Sequence, residues 1–229
     1  MTALSDQPNF DRFFTRIGTK LALADFHAEF AQLLNCKRTS EELTDARLSR
    51  GRWKRIIDEV TPVERFLKFG NVTAGYVKFQ LNNQVPDCWF WEKESGTPLG
   101  IEVTVAQARE RYHLAKELVR KGIGRGFLGL SDSSTEQTFK KATARPRVMY
   151  STEQALSAVK KGITLSLEKK KHPKYVGMDL LIQAPLRSLP DERWNLVKEE
   201  LIAAASDMPF RQINVIGNTD QKIFGFRIK

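Results

Sequence analysis

Asp87 and Glu102 are the two residues of this chain whose type and setting suit them to act together. Each interrupts a short apolar run, Val85-Pro86-Asp87-Cys88-Trp89-Phe90-Trp91 and Gly100-Ile101-Glu102-Val103-Thr104, where a strand should be burying side chains. The loop between them, Lys93-Glu94-Ser95-Gly96-Thr97-Pro98, is dense in turn formers. Alternation along a strand puts Asp87, Trp89 and Trp91 on one face of the first run, and Glu102 and Thr104 on one face of the second. A hairpin closing between Glu92 and Leu99 sets Asp87 opposite Thr104 and diagonal to Glu102, on a shared face. Diagonal neighbours lie roughly 7–8 Å apart, close enough to share a divalent cation and its waters. A slip of one residue would send the two acids to opposite faces.

The chemistry open to such a pair is metal-assisted hydrolysis. Magnesium keeps most of its waters and accepts only one or two protein carboxylates, so an Asp and a Glu on adjacent strands suffice. The carbonyl of Val103 is a further oxygen donor, and Mn2+ is an alternative to Mg2+ at such a site. Thr104, two residues beyond Glu102, and Gln107, at the start of the next helix, are candidates to complete it. Simpler roles compete. Asp87 could be a strand-start residue, and Trp89 and Trp91 fit face-covering aromatics better than a stacking platform. A carboxylate between Ile101 and Val103 is harder to dismiss, because burying it unpaired is costly.

Helices and strands must hold these groups. Residues 9–35 carry Phe10, Phe13, Phe14, Ile17, Leu21, Phe26, Phe30 and Leu33 at helical spacing. A second helix is expected from Ser40 toward Val60, interrupted at Gly51. Thr61-Pro62-Val63-Glu64 then reads as a capping box opening a short helix that ends near Gly70. From Val72 the period changes to two, with Val77, Phe79 and Leu81 on one side of a strand. The two acid-bearing strands follow, then a helix over 105–121 stopped by Gly122. Residues 127–130 read as a short strand and 131–147 as a loop or short helix. Ser151-Thr152-Glu153-Gln154 is a capping box for a helix to about Lys171. A buried strand over 176–184, an amphipathic helix over 190–206 and strands over 212–216 and 222–228 complete the chain.

The chain has 229 residues, 41% hydrophobic and 28% charged, as in an ordinary globular protein. It shows neither a membrane-length apolar run nor a signal peptide at its start, and a cytoplasmic location is expected. Cys36 and Cys88 form no pairing or ligand pattern, and His27, His113 and His172 have no mutual ligand spacing, which argues against zinc. No Walker loop is present, and Gly122-Ile123-Gly124-Arg125-Gly126 follows a helix rather than a strand. The net charge of +10 fits a polyanion partner. Arg109, Arg125, Lys140, Lys141, Arg145, Lys169, Lys170 and Lys171 are the candidate phosphate contacts.

Val85-Pro86-Asp87, thirteen further residues and Ile101-Glu102-Val103-Thr104 resemble the PD-(D/E)XK nuclease superfamily. The resemblance covers roughly residues 60–130, and the order helix, three strands, helix, strand is similar to that family's core. It implies an α/β fold, a restriction-endonuclease-like core with a mixed central sheet flanked by helices over residues 71–229. A helical N-terminal extension over residues 1–70 precedes it. It further implies a magnesium-dependent endodeoxyribonuclease acting on DNA. The phenylalanine-rich N-terminal helix is a candidate homodimer surface, which would suit double-strand cleavage; the alternative is that it packs on its own sheet. Thr104 stands where the family most often has lysine, so the positive charge would come from Lys93, Lys78 or Arg109, or be missing. The alternative is a non-catalytic nucleic-acid-binding protein that keeps the fold. The family often adds an acid from the preceding helix, for which Glu64 and Glu59 are candidates; Glu64 also has its expected role in the capping box.

Overall fold

The structure is a computed structural model and describes residues 7–122, 124, 126–145, 149–218 and 223–229. Helix α1 (Gln7–Ile17) and α2 (Leu23–Asn35) are separated by a two-residue strand, β1 (Leu21–Ala22). The expected single helix over 9–35 is therefore broken. The break falls at Gly18, where a Cβ would come within 2.7 Å of Leu81 Cδ1, so the chain turns there against the sheet. Helix α3 (Ser40–Arg47) begins with a capping box on Thr39, whose side chain accepts from Glu42 N–H while the Glu42 carboxylate accepts from Thr39 N–H.

Helices α4 (Arg52–Arg55) and α5 (Thr61–Phe69) are joined without a break by a π turn, Ile56–Val60. The expected capping box at Thr61 does not form, because Val60 and Thr61 are themselves helical. Pro62 explains the wide turn. It has no N–H to give Asp58, and its ring crowds that carbonyl. The helix loosens to i→i−5 bonding instead: Thr61 N–H reaches Ile56 O, and Thr61 Oγ1 donates to the same carbonyl at 2.7 Å.

Strands β2 (Tyr76–Phe79), β3 (Cys88–Trp91), β4 (Leu99–Val105), β5 (Asp179–Ala184), β6 (Gln212–Gly217) and β7 (Gly225–Arg227) complete a seven-stranded sheet. The strands lie in chain order, β1 to β7. The pairings from β1 to β4 are antiparallel, β4–β5 and β5–β6 are parallel, and β6–β7 is antiparallel. The fold is α/β with a mixed sheet flanked by helices. Between β4 and β5 lie α6 (Ala108–Lys121), α7 (Glu136–Ala144) and α8 (Thr152–Lys169); α9 (Asn195–Ala205) links β5 to β6. Gly122 ends α6 in the left-handed conformation and the Ser151–Gln154 capping box opens α8, both as expected. Residues 127–130 are not a strand.

Two cores sit on the two faces of the sheet. One packs Phe13, Phe26, Phe30, Val60, Val63 and Leu67 against Val77, Phe79, Phe90, Ile101, Val103 and Leu181. The other packs Val159, Ile163, Leu167, Val197 and Leu201 against Leu180, Ile182, Ile213 and Val215. All six residues of β5 are buried, as expected of a parallel strand covered on both sides. The first seventy residues thus supply β1 and one whole covering layer of the sheet. Among the described residues, no helix is long and apolar enough to cross a membrane.

Candidate metal and nucleic-acid site

The register between β3 and β4 pairs Cys88 with Ile101 and Phe90 with Leu99. Extending that ladder by one pair sets Asp87 directly opposite Glu102. The expected hairpin was offset by two residues, with Asp87 opposite Thr104. An even offset preserves the face, so both acids still share one. Directly opposite residues have Cβ atoms about 4.5–5.5 Å apart, closer than the diagonal pair foreseen. Asp87 lies just before β3 and its Oδ2 accepts the Val103 N–H at 2.8 Å, so the carboxylate takes a ladder donor that the strand leaves open. Its own carbonyl continues the other ladder by accepting Gln80 N–H at 2.9 Å.

Glu102 is 2% exposed in the middle of β4. Its Oε1 meets Lys170 Nζ at 2.5 Å, while Oε2 is buried without a hydrogen-bond partner. An ionised carboxylate left with one bare oxygen is costly, on the order of 1–3 kcal/mol or more, and a cation would offset that cost. Lys170 follows α8, beside the Tyr175 ring. It therefore turns inward, whereas Lys169 and Lys171 are exposed and Lys171 pairs with Asp207. Lys170 stands beside Glu102 as a positive charge supplied from another element. Of the three suggested substitutes, Arg109 is tied to the backbone carbonyls of Asp132 and Ser134, Lys93 lies in the β3–β4 loop and Lys78 lies on β2.

The π turn adds a second pair of charges. Arg55 donates from Nε to Glu59 Oε2 at 2.9 Å. Burial, followed by the charge of Asp87, raises the Glu59 carboxyl to about 7. Asp87 itself is raised to about 6, first by burial and then by Glu102; the Val103 N–H, Lys170 and Arg55 pull the other way. Glu59, rather than Glu64, is thus the helix acid that senses Asp87. Glu64 faces His27 at 3.5 Å and pairs with Lys68.

Thr104 is half-buried beside Ile182 of β5, on the Glu102 face. Gln107 caps α6 with left-handed backbone angles and donates from Nε2 to Leu130 O at 2.9 Å, at the end of β4 rather than its middle. Trp89 and Trp91 are half-buried, and Lys20 Nζ lies 4.7 Å from the centre of the Trp91 ring. Lys140, Lys141 and Arg145 are exposed on and after α7; Arg125 lies outside the described residues.

Hard oxygen donors on rigid strands suit Mg2+ or Mn2+, and the bare Glu102 Oε2 is the observation that fits them. Asp87, Glu102 and the Val103 carbonyl are the groups that would hold the ion. Among the described residues, no group of three or more His, Cys, Asp or Glu is arranged to do so. Lys170 stands among the candidate phosphate contacts, but no motif points to its contact with Glu102 or to that of Arg55 with Glu59. Yet Lys170 follows Ile163 and Leu167 at spacings of seven and three, on the buried stripe of α8 extended by one turn, and that periodicity was the available signal. Comparison of the chain with family models, with curated proteins and with solved structures gives no match in any of the three.

Proposed function

We propose that the protein is a metal-dependent nuclease that cleaves phosphodiester bonds in DNA. The observation that carries this is Glu102: a buried carboxylate with one oxygen held by Lys170, the other bare, and Asp87 opposite it. The PD-(D/E)XK resemblance and the net charge of +10 support the same reading. Bound between these oxygens, Mg2+ would lower the pKa of a water and offset charge on the phosphate. Lys170 supplies positive charge at the place where that phosphate would lie, in the role the motif lysine has in the resembling family. Glu59, raised to about 7 by burial and the charge of Asp87, is a group able to carry a proton near neutral pH. Thr104 remains a candidate polar contact to the water.

Asp87→Ala and Glu102→Ala should each abolish magnesium-dependent cleavage of DNA while the circular-dichroism spectrum is kept. Cleavage at the wild-type rate in both variants would overturn the assignment. A second reading, a nucleic-acid-binding protein without catalysis, is favoured by Thr104 in the motif position. It predicts no calorimetric binding of millimolar Mg2+ or Mn2+ together with salt-sensitive DNA binding.

A further inference from the structure

The three parallel strands end at a cavity that the acid pair does not use. Val105 ends β4, Gln183 lies at the end of β5, and Asn218 follows β6; all three line a space of about 340 Å³. That size falls in the range of small-molecule pockets, and the carboxyl ends of parallel strands are where open α/β sheets take their ligands.

The lining is built rather than incidental. Gln107, 2% exposed, faces the cavity from the amino end of α6 with a buried Oε1 that has no hydrogen-bond partner. Its backbone is left-handed (φ 56°, ψ 39°), a conformation that is strained for a non-glycine residue and tends to occur at ligand clamps. Across from it, α8 carries Gly162, where a Cβ would come within 2.9 Å of Gln107 Cγ. Together, the bond to Leu130 and the space left by Gly162 fix an unsatisfied acceptor at the cavity wall. Arg111 holds Gln183 Oε1 at 3.3 Å and pairs with Asp58, which leaves its guanidinium fixed at the cavity edge. Arg187 lines the same space and is exposed. Phe127 and Tyr150 meet edge to face at 5.1 Å and give the cavity an aromatic wall. Glu110, the acid in the lining, is already occupied by the N–H groups of Leu128 and Leu130, and burial raises it to about 7, so its charge opposes an anion only weakly.

We propose that this cavity binds a nucleotide unit, with its phosphate at Arg111 and Arg187 and its base along Phe127 and Tyr150, giving a hydrogen bond to Gln107 Oε1. The unit comes either as a free mononucleotide or as the phosphorylated end of a DNA strand. None of its contacts is Asp87, Glu102 or Lys170, so this binding stands apart from cleavage.

The test is calorimetric titration of the whole chain without divalent metal, using dAMP, deoxyadenosine and a twelve-nucleotide strand with or without a 5′ phosphate. The expected result is binding of dAMP at least tenfold tighter than deoxyadenosine, weakened about tenfold by Arg187→Ala and by Gln107→Leu. A strand that binds more tightly with its 5′ phosphate than without it identifies the strand end as the source; two strands of equal affinity, with dAMP still tighter than deoxyadenosine, identify the free nucleotide. The proposal is overturned if phosphate adds nothing in either pair, or if the exposed Arg187→Ala leaves dAMP binding at its wild-type strength. Intact dAMP binding in a chain that does not cleave DNA would overturn the nuclease reading alone.

Discussion

At the scale of single residues, Glu102 and Lys170 are held in place by one another. Removing the cation leaves a carboxylate buried without a partner, which typically costs about 3–5 kcal/mol. Lys170→Ala should therefore lower the melting temperature of the metal-free protein by roughly 2–4 °C for each kcal/mol lost, and millimolar Mg2+ should restore part of it. A melting curve for Lys170→Ala that matches the wild type would show the ion pair to be unimportant. Glu59 supplies a pH signature. Its carboxyl is raised from the usual 4.5 to about 7, so the native chain keeps a proton that the unfolded chain releases. Stability from this group is then highest at acidic pH, falls as pH rises between those values, and is lowest above 7. Relative to Glu59→Gln, the wild type should lose melting temperature from pH 5 to pH 8 in the presence of a chelator. A gap between the two proteins that stays constant with pH would contradict the buried-acid assignment.

At the scale of elements, local signals carried the sequence reading and non-local ones escaped it. The capping box at Ser151, the left-handed Gly122 and the period of two around Val77 and Phe79 are written within a few residues each, and the corresponding elements stand as expected. The register of β3 on β4 depends on how many residues the loop consumes, and composition does not give that number; the hairpin was misplaced by two. The strand expected at residues 127–130 fails for another reason. Its N–H groups at Leu128 and Leu130 are taken by the buried Glu110 carboxylate, eighteen and twenty residues away in sequence, instead of by a neighbouring strand. The same element logic makes Asp179 and Arg211 a clamp across the start of β5 and β6. Arg211 Nε and Nη2 donate to the two Asp179 oxygens at 3.0 and 2.7 Å. Arg211→Ala should cost about 1–3 kcal/mol in thermal melts, and Arg211→Lys should recover only part because it loses the two-point fork. A fully stable Arg211→Ala variant would show the clamp to be dispensable.

At the scale of the whole molecule, the chain carries a net charge of +10, and Lys140, Lys141, Lys169 and Lys171 lie exposed on its surface. The affinity of duplex DNA should then fall steeply between 50 and 200 mM salt, read by fluorescence anisotropy. Lys140→Ala combined with Lys141→Ala should reduce the slope of log affinity against log salt by about 1–2, because each phosphate contact contributes roughly 0.9. A slope unchanged by that double substitution would move the binding face away from α7. The same scale gives the π turn a meaning that its bonding pattern alone does not. Upstream of it, the Trp53 ring meets that of Phe10 in α1 at a tilt, 4.8 Å between centres; downstream, Val63 and Leu67 are set into the core beneath the sheet. One residue of an α-helix is about 100° of rotation, so the extra residue of the turn sets the phase between the two anchors. The stretch from 53 to 63 is accordingly fixed in length more firmly than in composition: exchanging a side chain there loosens one contact, whereas losing a single residue would rotate one anchor out of its seat.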